Sequence, residues 1–285
     1  MFTTRKMSIK SFAFWLFAFS IQVFAFNQTE INPVAPTTQS ETAVEKAPEA
    51  VADFKQQSQE TQLSITTANA WLQPFSASYN LLQKGKKRGS ATRILQKLPN
   101  NQWQLSISTE AKIFLFKDKR EEQSLFEITA DQLKPLHYQY HVKNSFSKKQ
   151  TEEYYDWEKK QLKGHNDNFS WDVPLKSPIA DPLNYQILIR KKLIEGQKTG
   201  TIEIPVSGKG EVRTRVFKIL GEEQLSILGK KISTLILSRK VEDRTTLFWM
   251  APQYQYIPVK IYQEENGEEQ ATLELQEIHT IAKNP

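Results

Sequence analysis

The sequence predicts a mainly β fold: a strongly curved antiparallel sheet, or half-open barrel, of about ten strands with one helix packed on it. Three observations carry this prediction. Apolar residues recur with period two from Phe75 almost to the C-terminus, the breaks between these runs are hairpin turns, and a single segment has helical spacing.

The strands follow in chain order. Phe75, Ala77, Tyr79 and Leu81 alternate with Ser76, Ser78 and Asn80. Trp103, Leu105 and Ile107 alternate with Gln102, Gln104, Ser106 and Ser108, and Leu136, Tyr138, Tyr140 and Val142 with His137, Gln139, His141 and Lys143. Such runs are half-buried strands, dry on one face and wet on the other. Weaker runs span Thr201–Val206, Glu211–Leu220, Thr234–Val241, Arg244–Met250, Pro258–Gln263 and Ala271–Ile278. Leu98-Pro-Asn-Asn separates two strands, and Asn266-Gly267 marks a type I′ turn between the last two. Connections this short imply a meander of antiparallel neighbours.

One stretch breaks the pattern. Asp181 is suited to cap a helix and Pro182 to its first turn, and LNYQILIRKKLIEG then runs to Gly196 as a stop signal. Leu183, Ile187 and Ile194 share a side, with Arg190 interrupting the stripe. The helix is expected against the open side of the curved sheet, where half-barrels enclose apolar cavities.

The N-terminal part reads as an export leader. Arg5, Lys6 and Lys10 precede an uncharged run, Ser11 to Phe26, too short for a membrane span, with cleavage expected after Ala25. Residues 26–71 are rich in Thr, Gln, Ala, Glu and Pro and are expected to form a disordered tether. The remainder, 72–285, is expected to be a single β-rich domain in the periplasm. The chain has no cysteine, which excludes disulfides, thiolate metal sites and thiol nucleophiles. Of 38 basic and 32 acidic residues, 33 and 26 fall in the domain, a diffuse excess of seven that suits an anionic envelope surface and not nucleic acid.

No pattern specifies catalysis. His137 and His141 lie four apart on a strand, about 13 Å, too far to share an ion. His165 belongs to a run of turn formers, GHNDN. Glu152, Glu153, Asp156 and Glu158 alternate with lysines as on an exposed strand. A nucleophile elbow, a P-loop, a dinucleotide fingerprint and a zincin motif are all lacking. The expectation is a protein without enzymatic activity, cofactor or metal. Two features suggest binding: the basic cluster Lys84, Lys86, Lys87 and Arg88, placed in the loop between the first two strands, and aromatics in three short segments. Those are Tyr154, Tyr155 and Trp157, then Phe169 and Trp171, then Phe248, Trp249, Tyr254 and Tyr256, residues suited to lining a lipid cavity or stacking on sugars. Ordinary core explains most of these aromatics, and a solvated hairpin tip explains the cluster.

In the C-terminal half, Gly221 and Glu223, Gly229, Trp249 with Pro252, and Pro258 to Ile261 form a pattern that resembles the DUF3108 family of bacterial envelope proteins. Upstream, Tyr79 with Gly85 and Gly89, Pro135, Asp156-Trp157 and the segment from Asp181 to Gly196 also match; Gln253 stands where the family often has an acidic residue. The resemblance covers Phe75 to Ile278. It implies exported periplasmic proteins with a β-rich fold, no assigned reaction, and a shape similar to the lipoprotein carriers that hold acyl chains in an open barrel. Two functions follow as expectations: a binding or carrier domain for a lipid, glycan or other envelope component, or a structural protein acting through protein contacts. Membrane contact is expected only through the leader before cleavage.

Overall fold

A computed structural model describes residues 71–113, 115–129 and 132–280. The leader, and the tether up to residue 70, lie outside the described residues. The described chain forms β1 (Phe75–Gln83), β2 (Lys86–Lys97), β3 (Gln102–Ile113), β4 (Phe116–Thr129), β5 (Gln132–Asn144), β6 (Lys148–Asp156), β7 (Gln161–Asn166) and β8 (Ser170–Pro174). After these come helix α1 (Tyr185–Ile194), β9 (Thr201–Gly208), β10 (Glu211–Ile227), β11 (Lys230–Val241), β12 (Arg244–Ala251), β13 (Ile257–Glu265) and β14 (Glu268–Thr280).

All fourteen strands make one antiparallel sheet, β8 to β1 followed by β14 to β9. The mainly β, antiparallel expectation is met, and the count of ten is corrected to fourteen. The sequence runs missed β4, whose first half, KDKREE, is polar at every position, along with the charge-rich β6 and the short β7 and β8. Cross-strand partners hold such segments in place of an apolar stripe. The turns behave as the sequence indicates: Asn100-Asn101 and Asn266-Gly267 have positive φ at both residues, as a type I′ turn requires.

Register shifts in β1, β4, β10, β12 and β13 bend the sheet. The sheet never closes by ladder bonds, so β8 and β9 are its edges. The edge of β9 is instead covered by the chain leading into α1: the Ala180 N–H donates to the Pro205 carbonyl, and the Ser207 N–H to the Ala180 carbonyl, each at 2.9 Å. The exposed edge β8 is five residues long and ends in proline, which blunts it.

The helix differs from its expected form in two ways. It begins at Tyr185, with Asn184 as N-cap; Asp181 caps the turn before it, accepting from the Leu183 and Asn184 N–H groups at 2.7 Å. Nor does it lie by one stripe on an open side. Tyr185, Ile187, Ile189, Arg190 and Leu193 are all buried, because the sheet curves around the helix. Gly196, at φ 104°, ends it as expected, with the Gly196 and Gln197 N–H groups turned back onto Leu193 and Lys192.

Candidate ligand-binding site

Between α1 and the concave face lies a cavity of about 30 Å3. Phe75, Leu105, Ile187, Phe217, Leu237 and Phe248 give it apolar walls. Arg93 of β2 and Arg190 of α1 are among its lining residues as well. Arg190 is only 3% exposed and Arg93 8%.

Arg190 is held from one side only. Its Nε donates to the Gln255 carbonyl at 3.0 Å, and its guanidinium lies 5.0 Å from the Phe75 ring centre. Its Nη1 and Nη2, both buried, have no hydrogen-bond partner among the described residues. Burial, then the nearby Arg93, lower its pKa to about 10, so it stays cationic at neutral pH. Arg93 donates to the Gln186 side-chain oxygen and approaches Tyr79. The Tyr79 hydroxyl donates to the Pro258 carbonyl at 2.9 Å, and burial raises its pKa, so it remains neutral. The Gln255 carbonyl comes from a tight turn: Pro252–Tyr254 is a 3-10 turn, and Gln255 and Tyr256 both follow with positive φ, 51° and 57°. Two such residues in succession store strain. The segment from Trp249 to Ile261, singled out in the sequence, thus shapes the backbone around Arg190.

A second buried polar group gathers where α1 begins, and its charge is opposite. Glu153 and Asp181 are both 0% exposed. Asp181 accepts from the Ser124 hydroxyl at 2.5 Å and the Asn184 side-chain amide at 2.7 Å, besides the two backbone N–H groups. Glu153 accepts from the Tyr155 hydroxyl at 2.7 Å, the Ser207 hydroxyl at 2.9 Å and the Lys209 N–H at 2.8 Å. Nearby, Tyr138 donates to Glu122 at 2.6 Å. Burial pushes Asp181 up to about 7 despite its donors, and raises Glu153 against the pull of Tyr155, Ser207 and the Lys209 N–H. Glu153 and Tyr155 stand on β6, Ser207 on the edge strand β9. Side chains therefore join parts of the sheet that no ladder bond joins.

The candidates from the sequence fall mostly outside both clusters. Of the basic cluster, only Lys84 occupies the turn; Lys86, Lys87 and Arg88 belong to β2, since the two-residue turn ends at Gly85. Lys84 is exposed and lies 4.0 Å from Glu268. Trp157 follows β6 and donates to the Pro135 carbonyl at 2.7 Å, with Lys134 over its ring. Trp171 covers Gly164 and abuts Gly210, packing β8 onto the β9–β10 turn. Trp249 is buried but alternates with Phe248 and Met250, which line the cavity, and so faces away from it; its indole donates to Glu223 at 2.7 Å. Tyr254 is half-buried in the 3-10 turn. Tyr256 is buried, with Lys198 against its ring and hydroxyl. Among the aromatic candidates only Phe248 lines the cavity.

Three further expectations are corrected. Glu153 is not an exposed strand carboxylate but a buried one. His137 is half-buried, stacked on Tyr154 at 4.3 Å and 3.7 Å from Glu152. Arg190 does not interrupt the buried side of the helix but belongs to it. The sequence carried a signal for Arg93: it shares parity with Ala91 and Leu95, both buried, so it points inward.

No curated protein matches the sequence. One solved structure, described as a β-barrel-like protein of the domain of unknown function DUF1849 from Brucella abortus, aligns over 74% of this chain and 99% of its own. Its identity is 9% and the TM-score 0.49. The family profile described as "Protein of unknown function (DUF3108)" matches residues 74–276, nearly all of the sheet. The chain belongs to the DUF3108 family.

Proposed function

We propose that the protein is an exported binding domain of the bacterial envelope, working in the periplasm without catalysis, whose ligand enters between α1 and the concave face of the sheet. The observation that carries this reading is the apolar-walled cavity, where the helix and both wings of the sheet converge. Its 30 Å3 has room for about two waters or one small chemical group. A lipid or other long ligand places its end group there, and its chain requires wall side chains or the helix to give way. The buried carboxylates argue for a structural and not a catalytic role, since Glu153 and Asp181 are spent on internal donors and have no exposed atom for a substrate.

Native mass spectrometry of the mature protein from its own periplasm, with solvent extraction, tests the proposal. Stoichiometric retention of an apolar molecule is the expected result. An empty protein that also fails to bind added octanol, octanoate and octyl phosphate would overturn it.

The alternative is an assembly role through protein contacts. It is favoured by a row of apolar side chains on the outer face of β10: Val212, Val216 and Leu220, each more than 40% exposed. Crosslinking in whole cells that captures one protein at these positions would support it.

A further inference from the structure

Resting on the reading of the cavity as a binding site, we infer that the ligand carries one anionic head group, a carboxylate or a phosphate monoester, received by Arg190 with Arg93 beside it. The Arg190 guanidinium is buried, yet both terminal nitrogens lack acceptors. A buried cation without a counter-charge is among the costliest arrangements a fold retains. The groups acting electrostatically on Arg190 are Arg93, of like charge, and the neutral Tyr79; no carboxylate is among them. The acidic cluster does not supply one, because Asp181 and Glu153 are engaged by Ser124, Asn184, Tyr155 and Ser207.

The geometry suits one class of acceptor. With Nε fixed on the Gln255 carbonyl, the plane of the guanidinium is set and the two terminal nitrogens form a free fork. Two oxygens on one carbon or phosphorus match such a fork in a bidentate contact, which a hydroxyl or an amide does not. The strained Gln255–Tyr256 backbone keeps that anchor in position before any ligand arrives. The cavity has room for about two water-sized atoms, the number of oxygens in a bidentate contact, and its walls, Phe75, Leu105, Ile187 and Phe217, suit the apolar body attached to it. The ligand class is therefore an anionic amphiphile, a fatty acid or a lipid phosphate.

Calorimetric titration of the full mature protein with octanoate, octyl phosphate and octanol tests this inference. One or both anions are expected to bind about tenfold or more tightly than octanol. The tighter of the two tells carboxylate from phosphate. In Arg190→Met, checked for folding by its unfolding curve, the preference for the anion is lost. Equal binding of octanol and both anions by the wild type overturns the inference and leaves the cavity reading intact. Binding of none of the three overturns both. A folded Arg190→Met protein that keeps the preference also overturns it. The wild-type comparison decides the matter even where the variant does not fold.

Discussion

The half-barrel buries two charged clusters along one helix. Where α1 begins, Asp181 and Glu153 have donors for their oxygens, from strands and loop segments far apart in sequence. Further along, Arg190 shares its interior with Arg93 and keeps two donors unfilled. Both arrangements cost desolvation, but only the first returns it in internal hydrogen bonds. The difference separates a polar lock, which holds the edge strand β9 to β6, from a guanidinium with unfilled donors, the group our inference assigns to a ligand.

The comparison can be broken most sharply at Asp181. Asp181→Ala leaves the Ser124 hydroxyl, two backbone N–H groups and the Asn184 amide unpaired in the interior. It should lower stability by about 3–5 kcal/mol in urea denaturation. A shift below about 1 kcal/mol would show that the cluster is no lock.

The pH dependence is next in size. The native pKa of Asp181, about 7, lies above its ordinary 3.8, so the folded protein binds this proton more tightly than the unfolded chain. The stabilisation is complete below pH 3.8 and is lost as pH rises toward 7. Over that window it amounts to at most about 4 kcal/mol. Asp181→Asn does not titrate, so its deficit relative to wild type should shrink between pH 4.5 and 7.5. A constant deficit would place the native pKa at its ordinary value.

The opposite sign is expected at Arg190. Arg190→Met removes a buried, partly unpaired cation and should raise the ligand-free melting temperature, corresponding to about 1–4 kcal/mol. A fall of similar size would mean that the Gln255 contact outweighs the desolvation of the guanidinium. The smallest effect belongs to the outer face. Trp249→Phe loses one hydrogen bond, to Glu223, about 1 kcal/mol, and should leave octanoate titrations unchanged because the ring faces away from the cavity.

Much of the fold was legible because strand alternation is a local signal. β1, β3, β5 and the strands after α1 announce themselves by period two, and the Asn-Gly and Asn-Asn turns by their chemistry. β4 was hidden because its charged half carries polar residues on both faces, and β7 because six residues give too short a sample. The site was less legible. Parity places Arg93 with Ala91 and Leu95, and Glu153 with Tyr155, so both were readable as inward. Their roles were not, since they depend on partners far off in the chain: Ser207 for Glu153 at a separation of 54 residues, Gln186 for Arg93 at 93. The aromatic residues drew attention by type, yet apart from Phe248 the cavity takes its rings from Phe75, Tyr185 and Phe217.

The sequence alone determined the antiparallel meander, its turns, the helix α1 and its glycine stop, because each depends on residues within a few positions of one another. The tertiary structure alone decided that β1 pairs with β14, that the sheet wraps the helix instead of closing, and that Asp181 and Glu153 find internal donors while Arg190 keeps unfilled ones. Those outcomes follow from the curvature that the bulges accumulate over fourteen strands, which brings residues more than fifty positions apart into a shared interior of low dielectric.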